Sequence, residues 1–276
     1  MRFSVRHETI YRYSAPVRFA EHVIRLNPRP DSGVFLSQSL IIEPTPSWLL
    51  DETDEFGNRI TCARFGGESD VLRIESRFEL DTVISPLSAS GSLSILPLSH
   101  EASGANVAYL GGHAHATVRN LAADVASACA GDALKFLDGL NQELFNTIRH
   151  DIRAEGAARH PEETLALGHG ACRDVTTVFI AACRSLGLPA RFVSGYQAQA
   201  VTPDGRRHLH AWPEAFVPGA GWRGYDPTHG LAVTDGHIAL CAAPEQTATM
   251  PVEGGFYGVG VASQLSYSVE IATSTN

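Results

Sequence analysis

The chain has 276 residues, 44% of them apolar and 18% charged, with 21 Lys and Arg against 30 Asp and Glu, a formal net charge of −9. This apolar content excludes a disordered chain, and the acidic balance argues against a nucleic-acid binder, which carries a basic footprint. The longest apolar runs, such as Val178–Cys183, fall far short of the ~20 residues of a membrane span.

Residues 1–83 read as strands. Phe3, Val5, His7, Thr9, Tyr11 and Tyr13 recur at period two, and Leu72, Ile74, Phe78 and Leu80 alternate with Arg73, Glu75, Arg77 and Glu79, the pattern of half-buried strands. His22–Asn27, Phe35–Glu43 and Ile60–Phe65 lie between them, separated by the turn-rich stretches Pro28–Gly33 and Asp54–Asn58. Short strands at this spacing predict an antiparallel β-sandwich-like domain. Ser, Gly, Ala and Pro then dominate 84–106, as in Ser88–Ser92, which reads as a linker. The core spans 107–276. A helix is expected over Ala114–Cys129 and a second through Leu137, Leu140, Leu144 and Ile148, with Asp132 as its N-cap.

The segment 168–196 reads as glycine loop, helix, stop and strand. Cys172, Val175, Phe179, Cys183 and Leu186 fall on one helical face, and Gly187-Leu188-Pro189 ends the helix. Cys172 therefore sits at a helix N-terminus. Unpaired N–H groups and the positive end of the helix dipole favour a thiolate there, and the same groups suit a developing oxyanion. Gly168 and Gly170 leave room for a substrate backbone. Packing is the default role for a cysteine, and Cys62, Cys129, Cys183 and Cys241 are read so.

A nucleophilic thiol needs a base and an orienting group. Residues 206–230 read as two strands about Val217–Gly221, after a turn at Pro203-Asp204-Gly205, with His210 in the first strand and Asp226 ending the second. Side chains alternate along a strand, so the pair can meet only in an odd register, set either by a longer hairpin loop or by a β-bulge at Pro213. With Val217 opposite Trp222, Asp226 would face away from His210. With Phe216 opposite Trp222 and the loop Val217–Gly221, Asp226 falls opposite Trp212, diagonal to His210 and on its face. His208 reads as a rim or surface residue, His169 as a loop histidine, Asp174 as a favourable charge in the first helical turn, and Arg191 as an ion-pair or cleft-edge residue. Cys172, His208, His210 and His229 lack zinc-ligand spacing, so no metal and no cofactor are expected.

These motifs together resemble bacterial transglutaminase-like proteins, a group that includes proteins described as cysteine proteases. The resemblance rests on Gly170-Ala171-Cys172-Arg173-Asp174, Leu186–Arg191, Ser194-Gly195-Tyr196, His210-Ala211-Trp212, Gly221-Trp222 and Asp226-Pro227-Thr228, with Leu26–Arg29, Asp54 and Gly57-Asn58 in the β-rich region before the core. Pro213, Ile148-Arg149-His150 and Ala239–Pro244 depart from the family's usual pattern. The resemblance implies an α+β fold with a papain-like core, a nucleophile helix packed on an antiparallel sheet. It implies Cys172 as nucleophile, His210 as base and Asp226 as orienter, acting on an amide carbonyl through a thioester acyl-enzyme.

The expected function is a thiol-dependent amide-bond hydrolase, a peptidase or isopeptidase. The alternatives are transglutaminase-type acyl transfer to an amine and a non-catalytic peptide-binding protein. A peptide or protein substrate is expected, with neither nucleic acid nor membrane as partner. Five cysteines without a C-x-x-C pair, and an N-terminus without an apolar signal region, fit a cytoplasmic protein.

Overall fold

The computed structural model describes residues 1–83, 94–99, 106–153, 156–198, 202 and 204–274. Six strands open the chain: β1 (Arg2–Phe19), β2 (His22–Ile24), β3 (Gly33–Glu43), β4 (Trp48–Thr53), β5 (Arg59–Arg64) and β6 (Ser69–Thr82). Next come helices α1 (Ala116–Ala128) and α2 (Ala133–Thr147), β7 (Arg149–His150), α3 (Pro161–Leu167), β8 (His169–Gly170) and α4 (Cys172–Ser185). Strands β9 (Ala190–Gln197), β10 (His210–Val217), β11 (Gly221–Asp226), β12 (Leu231–Ala232) and β13 (His237–Ala243) follow. The chain closes with β14 (Val252–Glu253), β15 (Phe256–Tyr257) and β16 (Ser263–Ser274).

The period-two pattern of β1 becomes burial: Phe3, Val5, His7 and Thr9 all face inward. One sheet runs β15-β1-β6-β3, with β16 also on β1; a second runs β14-β2-β5-β4. Phe3, Val5, Leu72, Ile74 and Phe78 of the first sheet pack with Ile24 and Ala63 of the second, which makes the sandwich. Two parts of the chain lie elsewhere than expected. The C-terminal strand, grouped with the core by sequence order, pairs with β1 along its length, from Arg2↔Ser274 to Tyr13↔Ser263. Leu96, inside the expected linker, is buried among the core helices, and Ile95 bridges to Asp132. Ser88–Ser92 and the turn residue Pro203 lie outside the described residues.

The core sheet has the order β12-β11-β10-β9-β13. Val175, Val178, Phe179 and Cys183 of α4 pack with Phe192, Ala211, Ala215, Val217 and Tyr225 of the sheet and with α2 through Phe136, Leu137, Leu140 and Leu144. Tyr196, Ala198, Ile238 and Leu240 join the cluster of the β-sandwich instead. The sheet is therefore covered by helices on one side and by the N-terminal strands on the other. Asp132 caps α2 by accepting from the Leu134 and Lys135 N–H groups, as its position predicts. No described helix is long and apolar enough to cross a membrane.

Candidate active site

Cys172 is the first residue of α4 and His210 the first of β10, so the thiol and the imidazole meet where the helix start passes the strand start. The start of α4 is held by Asp174, which is fully buried. Its Oδ2 accepts the Ala171 N–H at 2.9 Å and its Oδ1 accepts the Arg159 N–H at 2.8 Å and Arg153 Nη2. This is half of a capping box: Ala171 has no side-chain oxygen to return the bond. Asp174 therefore anchors the preceding loop as well as serving the helix dipole. The two glycines also have structural work. Gly168 ends α3 in the left-handed conformation, φ +63°, and a Cβ on Gly170 would come within 2.9 Å of Asp174 Cβ.

β10 and β11 pair with Phe216 opposite Trp222, the register that chemistry requires. Val217 also pairs with Gly221, so the turn is shorter than the five-residue loop expected. The pairing continues to Glu214↔Gly224 and stops before Pro213, which has no N–H to give. Asp226 ends β11, and its Oδ2 accepts the His210 Nε2–H at 2.9 Å. That leaves His210 Nδ1 for the thiol. Of the groups around Cys172, His210 and the Ala211 backbone are the ones that favour its thiolate most.

The electrostatics follow from these contacts. Burial opposes the Cys172 thiolate, but His210, the Ala211 backbone and Arg173 outweigh it and pull the thiol below its usual value. Burial likewise opposes a charged His210, yet the charge and hydrogen bond of Asp226 raise it above the ordinary histidine range. Asp226 is itself held well below the carboxylate range: its desolvation is overcome by His210, His229 and His237. The other buried cysteines go the opposite way. Desolvation pushes Cys62 up to about 11 and Cys241 up to about 12, and it raises Cys183 as well.

Two histidines beyond the expected three residues reach the site. His229 Nδ1 lies 2.9 Å and His237 Nε2 3.2 Å from the same Asp226 Oδ2, while the Thr228 N–H reaches Oδ1 at 3.2 Å. The Asp-Pro-Thr-His turn brings His229 back, because its backbone N–H returns to the Asp226 carbonyl. His237 starts β13 on the far side of the sheet, a placement with no local signal in the sequence. His210, Asp226 and His229 each place a ligand-type atom within 4.8 Å of the others; N–H···O bonds take up that spacing. His208 faces elsewhere, binding Tyr267 Oη at 2.9 Å and Asp204 at 3.0 Å, and His169 binds Asp151 at 2.7 Å. Arg191 pairs with Glu214 and lies over the Trp222 ring. Gly195 admits Trp212, whose ring a Cβ there would meet at 2.5 Å. A cavity of about 450 Å³ against α4, lined by Arg159, His160, Thr177 and Arg184 among others, includes none of the three site residues.

Residues 119–227 match the model of the transglutaminase-like superfamily, and residues 3–81 that of the bacterial transglutaminase-like N-terminal region. The chain carries a transglutaminase-like core preceded by a bacterial transglutaminase-like N-terminal region. An uncharacterized protein of Mycobacterium leprae is 36% identical over 108 residues, 37% of each chain. A protein-glutamine gamma-glutamyltransferase of Pseudomonas aeruginosa is 36% identical over 69 residues, 23% of this chain and 10% of that protein. The matches thus span little more than a third of the mycobacterial relative and a tenth of the pseudomonad enzyme. A crystal structure described as a candidate cysteine protease from Cytophaga hutchinsonii shares the fold, with a TM-score of 0.73, 19% identity, and coverage of 100% of this chain and 92% of that one. Superfamily and fold together support thiol-dependent catalysis in general.

Proposed function

We propose that the protein is a thiol-dependent amide-bond hydrolase in which Cys172 is the nucleophile, His210 the base and Asp226 the orienter. The observation that carries this reading is a thiol at a helix start whose thiolate is favoured by His210, the same ring that gives its Nε2–H to the buried Asp226 carboxylate. The Cys172 proton passes to His210 Nδ1, and Sγ attacks the amide carbonyl. His210 returns the proton to the departing amine as the C–N bond breaks, leaving a thioester. Asp226 fixes the tautomer and stabilises the imidazolium without taking its proton. Water then attacks the thioester, again through His210, to release acid and free thiol. The substrate is a peptide or protein amide. All five cysteines are free, the state a reducing compartment such as the cytoplasm maintains.

Acyl transfer to an amine is the second reading, favoured by the glutamyltransferase relative. Peptide libraries incubated with wild type and Cys172→Ala, with and without added amine, separate the two by mass spectrometry. Cleaved or deamidated products dependent on Cys172 identify hydrolysis. A mass gain of the amine minus ammonia identifies transfer. Products that persist in Cys172→Ala overturn both.

A further inference from the structure

Asp226 Oδ2 is the meeting point of three imidazoles, from β10, from the turn after β11 and from the start of β13. A nitrogen facing a carboxylate carries its proton. His210 is therefore protonated at Nε2, His229 at Nδ1 and His237 at Nε2. The opposite nitrogens, His229 Nε2 and His237 Nδ1, are buried without a hydrogen-bond partner among the described residues. A second proton on either ring would bury an N–H with no acceptor, which is costly. The two rings thus stand as neutral donors beside a full negative charge. Burial also lowers His237 away from its charged form.

We propose that His229 and His237 are positioning residues that hold the Asp226 carboxylate ionised and aimed at His210 without cancelling its charge. The inference rests on the reading of Cys172, His210 and Asp226 as the reacting set. A carboxylate buried with His210 alone would leave lone pairs unmet and could turn away or take a proton. Arginine or lysine donors would meet those lone pairs but quench the field that raises His210. Two neutral imidazoles supply direction and solvation together. His229 is flanked by His150, whose ring centroid is 6.0 Å away, and lies 5.2 Å from the His210 ring; His237 packs edge-on against Trp212 at 5.3 Å. Arg173 of α4 acts on Cys172, and His150 beside His229 feels both Asp226 and Asp151.

The test compares donors with isosteres that cannot donate. Asn places an amide N–H where His229 has Nδ1, and Gln places one where His237 has Nε2. His229→Leu and His237→Leu keep bulk and lose the donor. The readout is the alkylation rate of Cys172 by iodoacetamide against pH, followed by mass spectrometry on the full chain, with circular dichroism as the folding control. Each Leu variant should alkylate about tenfold slower near pH 6, one lost charge-assisted hydrogen bond, with the acid limb moved to higher pH. His229→Asn and His237→Gln should recover most of the rate and the wild-type limb. His229 is partly exposed, so its variants test the idea even where His237→Leu fails to fold. A reactive wild-type Cys172 whose profile is unmoved in His229→Leu, or slowed equally in Leu and Asn variants, overturns this inference alone. A wild-type Cys172 that titrates as an ordinary thiol overturns the catalytic reading and this inference with it.

Discussion

Two carboxylates, one in each half of the molecule, are each surrounded by three nitrogen-bearing side chains, and the choice of nitrogen sets them apart. Glu75, on β6 of the N-terminal sandwich, accepts from Arg6 and Arg73 at Oε2 and from Arg77 at Oε1, at 2.6–2.7 Å. Those arginines reach on to Glu8, Glu43 and Glu270. Guanidinium is charged at any ordinary pH, so the charge of Glu75 is spent on its neighbours and little remains to act at a distance. Asp226 has imidazoles instead, two of them neutral. Its charge is left to act on His210, the ring that in turn favours the Cys172 thiolate. A carboxylate ringed by arginines holds strands together; a carboxylate ringed by imidazoles keeps a field for use.

The sharpest way to break the comparison is to neutralise each carboxylate in turn. Asp226→Asn keeps the size but presents an NH₂ or a neutral oxygen to three N–H donors. His210 loses both the charge that raises it and the acceptor that fixes its tautomer. Activity should fall by about 10³–10⁴, the size of the loss when the equivalent acid of a serine triad becomes Asn. The fall should appear in the alkylation rate of Cys172 near pH 6 as well as in turnover. A loss under about tenfold would show that His210 works without the carboxylate.

Much of this site is legible in the sequence, and the reasons are local. The stripe Cys172–Val175–Phe179–Cys183 and the stop at Gly187, which takes φ +77°, define α4 without help from the rest of the chain. Period-two alternation defines β1 and β6. The β10–β11 register follows from strand geometry and the chemistry asked of His210 and Asp226. What stays hidden is non-local or lacks contrast. Strand β4 is exposed throughout and α3 buries only Thr164, so neither has an apolar period to read. β16 shows its strand pattern but not its partner, because nothing near Leu265 points to β1, more than 240 residues upstream. His237 reaches Asp226 across the sheet, and no spacing rule links positions 226 and 237. Glu75 looks like an outward-facing charge; its burial beneath three arginines depends on strands that meet only when folded.

Glu75→Gln gives the second effect. Its lowered pKa, where desolvation is outweighed by Arg77 and Arg6, fixes the sign. A carboxyl whose folded pKa lies below its unfolded value contributes stability above the unfolded value of ~4.3. That contribution is lost as pH falls through the lowered folded value. Glu75→Gln should therefore cost about 1–2 kcal/mol near pH 7, a charged hydrogen-bond network discounted for half-exposed arginines. The cost should fade below about pH 4, and Cys172 alkylation should not change. Urea unfolding across pH checks the first part. A Glu75→Gln protein with slowed alkylation would join the two halves electrostatically and end the contrast.

Salt gives the smallest effect and the finest discrimination. Raising ionic strength from 0.1 to 1 M shortens the Debye length from about 10 Å to about 3 Å. Around Glu75 the arginines are open to solvent, with Arg77 56% exposed and Arg73 24%, so ions can reach them. The difference in unfolding free energy between wild type and Glu75→Gln should shrink by a few tenths of a kcal/mol, the scale of exposed pairs. Taking that difference cancels the general effect of salt on apolar burial. Asp226 is fully buried and His210 nearly so, so ions cannot enter between them, and screening of buried pairs is weak. The ratio of Cys172 alkylation rates in wild type and His237→Gln should hold within about twofold over the same range. If that ratio follows salt as the Glu75 difference does, solvent enters the Asp226 cluster, and its imidazoles no longer shelter a field that the arginines around Glu75 extinguish.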